Sequence, residues 1–236
     1  MVPHLVLVHG SRLSGAQWAP QLPLLERHAS VGLPDLPGHG SRAGETFSLA
    51  RSVEVVDEAV NAAPAGASVV LVGHSLGGYV AMAYAQHHAD RLDGLVLAGC
   101  SATPKGLGAA VYRGVAALSD RLGPHRMTRI NDRVLRTRYR ADLIDPVIGG
   151  GYWFEPTTAA WNDVIDLCRP DMLAEVPCPV LFLNGQFDQF RFGVRDFLAQ
   201  CPQAQVQILP RASHLANLDR PRAFGDALLR FTADVA

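Results

Sequence analysis

The sequence predicts one α/β domain with a sheet of about six parallel strands flanked by helices. Short apolar runs bounded by turn residues alternate with helical stretches, and this alternation is typical of a parallel sheet covered on both faces. The length of 236 residues suits a single domain with a sizeable core, and a hydrophobic content of 48% excludes a disordered chain. The net charge of −1 gives no reason to expect nucleic acid or a membrane surface as a partner.

Six apolar runs are predicted to be strands. They lie near residues 5–8, 29–33, 68–72, 94–98, 179–183 and 205–209. The predicted helices cover residues 15–28, 48–62, 76–88, 193–200 and 221–233. The last of these begins with Pro221 at a first-turn position and is amphipathic, so we expect it to pack against the sheet.

The segment 73–78 reads Gly-His-Ser-Leu-Gly-Gly and lies between a β-branched apolar run and a run of small, helix-prone residues. A serine on a sharp turn between a strand and a helix has its hydroxyl exposed, and glycines at 73 and 77 leave room for that turn. The pattern Gly-x-Ser-x-Gly also occurs by chance in loops, but a preceding strand and a following helix are the context that it requires. Ser75 is therefore the candidate nucleophile.

A serine hydroxyl attacks only when a base removes its proton, and the base needs a third group that holds its tautomer. Asp188 follows a buried-strand pattern that runs into a glycine loop, and His214 follows the next strand candidate. Loops at the carboxyl ends of strands often carry functional side chains. Asp188 and His214 are therefore the candidate acid and base.

With these residues the chain resembles the α/β-hydrolase-fold enzymes along nearly its whole length. The landmarks are His9-Gly10 after the first strand, the segment 35–40 (Asp-Leu-Pro-Gly-His-Gly), the serine turn, Asp188 and His214. Their order, serine then aspartate then histidine, is the one this family uses. Most members have two further strands before the His-Gly loop, whereas only four residues precede Leu5 here.

The resemblance implies an oxyanion hole formed by the backbone N–H groups of Ser11 and Leu76. Such donors must face the oxygen on which negative charge develops. The Ser11 hydroxyl either adds a further hydrogen bond there or caps its own loop. His9, His39 and His74 resemble framework positions that shape the loops around the serine.

Between residues 99 and 170 the strand pattern gives way to helical segments. The resemblance implies that this insertion after the fourth strand is a helical cap, so that residues 1–100 and 171–236 form the core and residues 101–170 the cap. Aromatic residues beside a glycine run suit the wall of a pocket with a mobile hinge, although packing inside the cap explains them equally well. These candidate substrate-binding residues are Tyr152, Trp153, Phe154 and Trp161.

Five arginines of the cap are spaced three and four residues apart, which places them on one face of a helix. They are Arg126, Arg129, Arg133, Arg136 and Arg140. One interpretation is a solvated face that pairs with the acidic second half of the cap. The other is a patch that attracts an anionic acyl substrate, such as a carboxylate, a phosphopantetheine arm or coenzyme A.

Other residue types predict no cofactor and no metal. No pair of histidines has convincing ligand spacing with a carboxylate partner, and the cysteines lack C-x-x-C spacing, so they are expected to be reduced structural thiols. The four are Cys100, Cys168, Cys178 and Cys201. The chain enters its first strand without a signal segment and has no apolar run of about 20 residues, so we expect a cytoplasmic protein that does not span a membrane.

The function predicted from these features is a serine hydrolase that cleaves a small carboxylic ester through an acyl-enzyme. Three other reactions use similar machinery and stay open: thioester hydrolysis in a biosynthetic pathway, perhydrolysis without a cofactor, and hydroxynitrile cleavage. The last is suggested by a resemblance to the small methylesterase and hydroxynitrile lyase group, in which a cap lysine often accompanies lyase activity, and Lys105 is the one lysine here. A ligand-binding protein without catalysis is the alternative outside enzymes, and the oligomeric state is left open.

Overall fold

The computed structural model describes residues 2–103, 113–114, 117–118 and 121–236. Its strands are β1 (His4–Val8), β2 (Ser30–Gly32), β3 (Val69–His74), β4 (Gly94–Ala98), β5 (Val180–Gly185) and β6 (Gln205–Leu209). They form one sheet in the order β2-β1-β3-β4-β5-β6, and every neighbouring pair is parallel. The predicted α/β fold with six parallel strands is confirmed.

The sheet separates two apolar cores, because successive side chains of a strand point to opposite faces. In β1, Leu5 and Leu7 belong to one buried cluster, while Val6 and Val8 belong to the other. The strands β1, β3, β4 and β5 are buried along their whole length. Burial on both faces explains why their sequences are continuous apolar runs rather than alternating patterns.

The described α-helices lie on both faces of this sheet and in the insertion between β4 and β5. They are α1 (Leu22–Leu25), α2 (Leu49–Asn61), α3 (Leu76–His88), α4 (Pro124–Arg138), α5 (Ala141–Gly149), α6 (Thr157–Leu167), α7 (Val194–Gln200), α8 (Ala216–Asp219) and α9 (Pro221–Val235). Buried side chains of α2, α3 and α7 pack on one face. Those of α1 and α9 pack on the other face.

The helix predicted for residues 15–28 is wrong in its extent. The structure has a short 3-10 helix over Gly15–Trp18, followed by the single turn of α1. Pro20 and Pro23 account for the break, because neither has an N–H to donate within a continuous helix. The other predicted helices and strands agree with the structure to within two residues at each end.

The strand order places a crevice at the carboxyl edge of the sheet. From β1 the chain adds β2 on one side and then returns to add β3 on the other side. Loops that leave adjacent strands in opposite directions form a crevice outside their carboxyl ends, and ligands of open α/β sheets bind there. Gly10 and Ser11 follow β1, and Ser75 follows β3. These two loops therefore border the crevice.

The insertion between β4 and β5 contains α4, α5 and α6. Its helices contact loops at the carboxyl edge: the Ser14 hydroxyl donates to the Gly150 carbonyl at 3.4 Å, and Arg138 pairs with Asp219 after β6 at 2.8 Å. Leu13 lies in a small buried cluster with side chains of α4, α5 and α8. Lys105 lies outside the described residues.

Within the described ranges we find no helix with both the length and the apolar character that a membrane span requires. The expected cellular location stays a prediction.

Gly77 provides a test of how α3 packs on β1. A methyl group on its Cα would lie 2.4 Å from the Val8 carbonyl oxygen and 2.6 Å from that of His9, and backbone atoms cannot yield as a flexible side chain can. We expect Gly77→Ala to lower the free energy of unfolding by about 2 kcal/mol or more. Urea denaturation followed by circular dichroism measures this change.

Gly44→Ala is the matched control, since the added methyl group would meet nothing within 4 Å. It should change stability by less than about 0.5 kcal/mol. Equal stabilities of the two variants would contradict the close approach of α3 to β1.

Candidate active site

Ser75 occupies a strained turn between β3 and α3. Its backbone has φ 52° and ψ −115°, a conformation that a residue with a Cβ adopts only where the surroundings impose it. The Ser75 N–H donates to the Ala98 carbonyl at 2.8 Å, which ties the turn to β4. Gly73 permits the turn, because a Cβ there would lie 2.2 Å from the Gly77 carbonyl oxygen. A side chain at position 73 would therefore block the turn, which explains why glycine is found there.

The three candidate catalytic side chains converge at this turn. His214 Nε2 lies 3.0 Å from the Ser75 hydroxyl oxygen, and His214 Nδ1 lies 3.1 Å from Asp188 Oδ1. Ser75, Asp188 and His214 follow β3, β5 and β6 respectively, and parallel strands present their carboxyl ends at one edge. The arrangement can pass a proton from the serine to an imidazole whose far side faces a carboxylate.

Asp188 is buried, with 1% of its surface exposed. Burial on its own would raise the pKa of Asp188, but the hydrogen bond and charge of His214 and the N–H of Phe190 outweigh it, so the pKa lies below the ordinary value. The Phe190 N–H donates to Asp188 Oδ1 at 2.9 Å. The carboxylate is therefore ionised at neutral pH and can hold the Nδ1 proton of His214.

One aromatic ring stacks against the imidazole of His214, and a second ring stacks on the first. The Phe190 ring lies 4.6 Å from the imidazole centroid at an interplanar angle of 28°. Trp161 of α6 stacks on Phe190 at 6.1 Å and 21°. The stack restricts rotation of the imidazole and joins the inserted helices to the histidine.

The loop before His214 is fixed by Asp219, whose side chain is 7% exposed. Asp219 Oδ2 accepts hydrogen bonds from the N–H and the hydroxyl of Ser213, both at 2.6 Å. Tyr139 donates its hydroxyl to Asp219 Oδ1 at 2.8 Å, and Arg138 donates to both Asp219 and Ser213. The end of α4 is therefore bonded to the loop that carries the histidine.

Two histidines predicted to be framework residues hold the loop after β1. His9 Nδ1 donates to the Gly10 carbonyl at 2.8 Å, since its Nε2 accepts from the Leu36 N–H at 3.0 Å. His39 Nε2 accepts from the Arg12 N–H at 3.3 Å. Each ring is thus a neutral tautomer defined by its partners.

Two N–H groups near Ser75 remain available in the described part of the chain. The backbone N–H groups of Ser11 and Leu76 have no hydrogen-bond acceptor there. The Ser11 hydroxyl is buried and also has no partner among the described residues, so the expected capping role within its own loop is not observed. Unpaired buried donors beside a candidate nucleophile suit an oxygen that gains negative charge.

The cavity at this site has a volume of about 360 Å³. Its lining residues are Gly10, Ser11, Arg12, Leu13, His74, Ser75, Trp161, Gln189, Phe190, His214 and Leu215. Trp161, one of the candidate substrate-binding residues, therefore forms part of the cavity wall. The sequence did not identify Arg12, Leu13, Gln189, Phe190 or Leu215, because a loop residue or a single apolar residue has no spacing pattern that marks a pocket.

The other three predicted substrate-binding residues, Tyr152, Trp153 and Phe154, lie outside the described lining of this cavity. Tyr152 donates its hydroxyl to Asp132 at 2.9 Å and stacks on Phe154. The Trp153 N–H donates to the Arg12 carbonyl at 3.0 Å, and the Arg12 guanidinium lies over the Phe154 ring. These contacts favour the packing explanation of the three residues, and Trp153 and Phe154 contact Arg12 directly.

The predicted arginine face requires one correction. Arg140 does not belong to α4, which ends at Arg138; it is the residue before α5 and pairs with Asp142 at 3.0 Å. The extended backbone of Tyr139 breaks the helical spacing. Arg136 pairs with Asp145, which lies in the acidic second half of the insertion, as the first of the two interpretations expects.

The other members of the face are Arg126, Arg129 and Arg133. They are exposed and, with Ile130, line a shallow depression of about 360 Å³. Among the described residues no carboxylate pairs with any of the three. Pairing within the cap therefore explains only part of the positive charge.

The four cysteines are buried and free. Burial raises the pKa of Cys168 to about 12 and that of Cys178 to about 11, so these thiols are protonated and unreactive at neutral pH. Among the described residues no cluster of three histidine, cysteine or carboxylate side chains could hold a metal ion.

This chain belongs to the alpha/beta hydrolase family, whose family model matches residues 5–227. Nearly the whole chain is covered by that match, and the resemblance inferred from the motifs is confirmed.

Named relatives and solved structures agree with this family. A pimeloyl-(acyl-carrier protein) methyl ester esterase of Vibrio cholerae serotype O1 is 39% identical, with 96% of this chain and 93% of that protein covered. A relative of the same name from Vibrio vulnificus is also 39% identical, but the match covers 48% of this chain and only 42% of that protein. A thermophilic esterase from Thermogutta terrifontis, solved with malate bound, has a TM-score of 0.81 and 27% identity, covering 99% of this chain and 90% of that one.

The buried neutral histidines predict how stability depends on pH. Burial, the largest cause, lowers the pKa of His9 to about 3 and that of His74 to about 4. In the unfolded chain both titrate near the ordinary value of about 6.5, so between pH 4 and 6.5 the unfolded state binds more protons than the folded state. The free energy of unfolding should therefore decrease as the pH falls from 6.5 to 5, by roughly 1–3 kcal/mol per pH unit.

Urea denaturation at a series of pH values measures this slope. The carboxylate of Asp188 does not interfere, because its lowered pKa places its titration below this range. His87→Gln removes an exposed histidine and should leave the slope unchanged. A free energy of unfolding that is constant between pH 6.5 and 5 would show that the buried rings are protonated in the folded state.

Proposed function

We propose that this protein is a serine hydrolase that cleaves a carboxylic ester through a covalent acyl-enzyme. The observation that carries the proposal is the pair of contacts of His214, at 3.0 Å to the Ser75 hydroxyl and 3.1 Å to the Asp188 carboxylate. Ester hydrolysis, which the sequence predicted, is also the activity in the names of the relatives from Vibrio and of the esterase from Thermogutta terrifontis.

In the acylation step, Ser75 Oγ attacks the ester carbonyl carbon while His214 Nε2 takes the hydroxyl proton. The carbonyl oxygen becomes an oxyanion, which accepts hydrogen bonds from the N–H groups of Ser11 and Leu76. His214 then gives its proton to the alcohol oxygen as the carbon–oxygen bond breaks, and the alcohol leaves. Asp188 keeps the imidazole oriented and stabilises its positive charge in between.

In the deacylation step, water replaces the alcohol. His214 takes a proton from the water, the hydroxide oxygen bonds to the acyl carbon, and a second oxyanion forms at the same place. When this intermediate breaks down, Ser75 recovers the proton and the carboxylic acid is released. Loss of one oxyanion donor typically costs a factor of about 100–1000 in rate, so the two N–H groups carry much of the acceleration.

For the substrate we propose a methyl ester of an acyl group that is attached to an acyl carrier protein. The support is the name of the Vibrio cholerae relative, which matches this chain over 96% of its length. The exposed group of Arg126, Arg129 and Arg133 is consistent with an anionic carrier, because clustered positive charge attracts such a partner and speeds its association.

An acyl-thioesterase is the second candidate, since the acyl chemistry is the same and only the leaving group differs. The same arginine group would favour a thioester substrate, because the thioester would also be attached to an anionic carrier. Comparing the methyl ester with the thioester of one acyl chain decides between the two.

We further propose that residues 101–170 act as a cap domain on a core formed by residues 1–100 and 171–236. Trp161 supports this division, because it lies in the insertion and also lines the cavity that contains Ser75. The inserted helices would then select the acyl chain, while the core supplies the reacting groups.

Replacement of the proposed nucleophile tests the reaction. Ser75→Ala should lower kcat on a p-nitrophenyl ester by a factor of about a million, because the triad acts as one unit. A fluorophosphonate probe should label the wild-type protein at Ser75, as mass spectrometry of the modified peptide would establish.

Ser213→Ala serves as the control. Ser213 is next to His214 in sequence, but its hydroxyl donates a hydrogen bond to Asp219 rather than to His214 or Ser75. That variant should still be labelled at Ser75. Labelling of another residue, or turnover by Ser75→Ala above a few per cent of the wild-type rate, would contradict the proposed nucleophile.

Charge reversal tests the role of the arginine group. Arg129→Glu combined with Arg133→Glu should lower kcat/KM for an anionic carrier-bound ester about tenfold or more at low salt, and leave kcat/KM for a neutral p-nitrophenyl ester within about twofold. The effect should shrink as salt is added.

Arg27→Glu combined with Arg230→Glu is the matched control, with the same change in net charge at exposed positions outside this group. It should leave both substrates within about twofold of the wild type. If the two double variants lowered kcat/KM for the carrier-bound ester equally, only net charge would matter and the local group would have no role.

A further inference from the structure

A chain of three hydrogen bonds joins the loop after β1 to the main chain of His214. The Gly10 N–H donates to Gln17 Oε1 at 2.8 Å, and Gln17 Nε2 lies 3.0 Å from His74 Nδ1. His74 Nε2 lies 2.8 Å from the carbonyl oxygen of His214. Gln17 is fully buried and His74 is 1% exposed, so water does not compete for these bonds.

The direction of each bond follows from the donors and acceptors. A backbone N–H can only donate, so Gly10 fixes the oxygen of Gln17 on its own side and turns the amide nitrogen toward His74. Nδ1 of His74 must then accept, and the single ring proton lies on Nε2, from which it is donated to His214. The lowered pKa of His74, about 4, agrees with a neutral ring at neutral pH.

The residues joined by these hydrogen bonds are closely packed around Gly10. A Cβ at Gly10 would lie 2.9 Å from His74 Nδ1 and 3.4 Å from both Gln17 Oε1 and the Ser75 Cβ. The loop, the amide, the imidazole and the serine are therefore in direct contact, and a shift of one moves the others.

We propose that Gln17 and His74 are positioning residues that hold the oxyanion loop and the general base in one fixed relative geometry. The inference rests on the proposed function. At one end Gln17 fixes the peptide next to the Ser11 N–H, and at the other His74 fixes the backbone of His214. Since oxyanion donors act only when charge develops, displacement of Ser11 should lower kcat and leave KM nearly unchanged.

Gln17→Leu tests the role of the amide, because leucine fills a similar volume without hydrogen bonds. We expect kcat on a p-nitrophenyl ester to fall about 10- to 100-fold, less than the roughly 100–1000-fold loss of a whole donor, while KM changes less than about threefold. Affinity for a boronic acid, whose tetrahedral serine adduct places an oxygen in the oxyanion position, should fall by the same factor as kcat.

Gln21→Leu is the matched control. Gln21 is equally buried, and its amide donates to the Asn217 carbonyl at 2.7 Å rather than to the oxyanion loop. It should lower the melting temperature but keep kcat within about twofold of wild type. An unchanged kcat in Gln17→Leu, or an equal loss of kcat in Gln21→Leu, would overturn the inference.

Nitrogen-15 NMR of the imidazole rings gives a readout that does not depend on turnover or on the folding of the leucine variant. Wild-type His74 should be a neutral ring protonated at Nε2 at pH 7. In Gln17→Glu the carboxylate can only accept, so Nδ1 should gain a proton. A wild-type His74 protonated at Nδ1 would contradict the hydrogen-bond directions.

Failure of the two proposals can be told apart. A wild-type Ser75 that does not react with a fluorophosphonate contradicts the proposed hydrolase. A reactive Ser75 together with a normal kcat in Gln17→Leu contradicts only the positioning role.

Discussion

The contact between His214 Nε2 and the Ser75 hydroxyl, at 3.0 Å, is the interaction on which the rest of the site depends. The two residues are 139 positions apart, and no local structure could bring them together. The parallel sheet does so, because β3, β5 and β6 end at the same edge and each is followed by one member of the proposed triad. The register of the sheet is therefore a condition for the chemistry as well as for the core.

The loops around this contact are held by polar side chains that are buried in the protein. His9, His39 and His74 are buried as neutral rings. Both nitrogens of each ring form hydrogen bonds with loop backbone or with a neighbouring side-chain amide. Burial of neutral histidines lowers the free energy of unfolding in acid, because the unfolded chain binds protons that the folded chain does not bind. These hydrogen bonds of neutral rings fix the backbone of the Gly10 loop.

The sequence predicted most of the sheet and named the three residues of the proposed triad because strong local signals mark them. Continuous β-branched runs identify buried strands, and Gly73 with Gly77 identify a turn that side chains would block. Asp188 was identified because it follows the buried run of β5, and His214 because it follows β6, whose apolar residues mark a strand that is largely exposed. These features depend on short segments, and short segments are what a sequence shows directly.

The features that the sequence left open or missed depend on contacts between distant residues. Whether Tyr152 and Phe154 face a pocket or support the Arg12 loop depends on contacts across about 140 residues of sequence, which no local pattern encodes. The arginine spacing suggested a continuous helix through Arg140, but the extended backbone at Tyr139 ends α4 and starts a new element. Gln17 carried no signal at all, since its role exists only through its tertiary partners.

A crystal structure of the protein after reaction with an alkyl phosphonate would test whether Ser75, His214 and the two N–H groups act on one carbonyl group. We predict a phosphorus bonded to Ser75 Oγ, one phosphoryl oxygen about 2.7–3.1 Å from the N–H groups of both Ser11 and Leu76, and His214 Nε2 within hydrogen-bond distance of the adduct. An adduct on another residue, or a phosphoryl oxygen directed away from both N–H groups, would contradict the account.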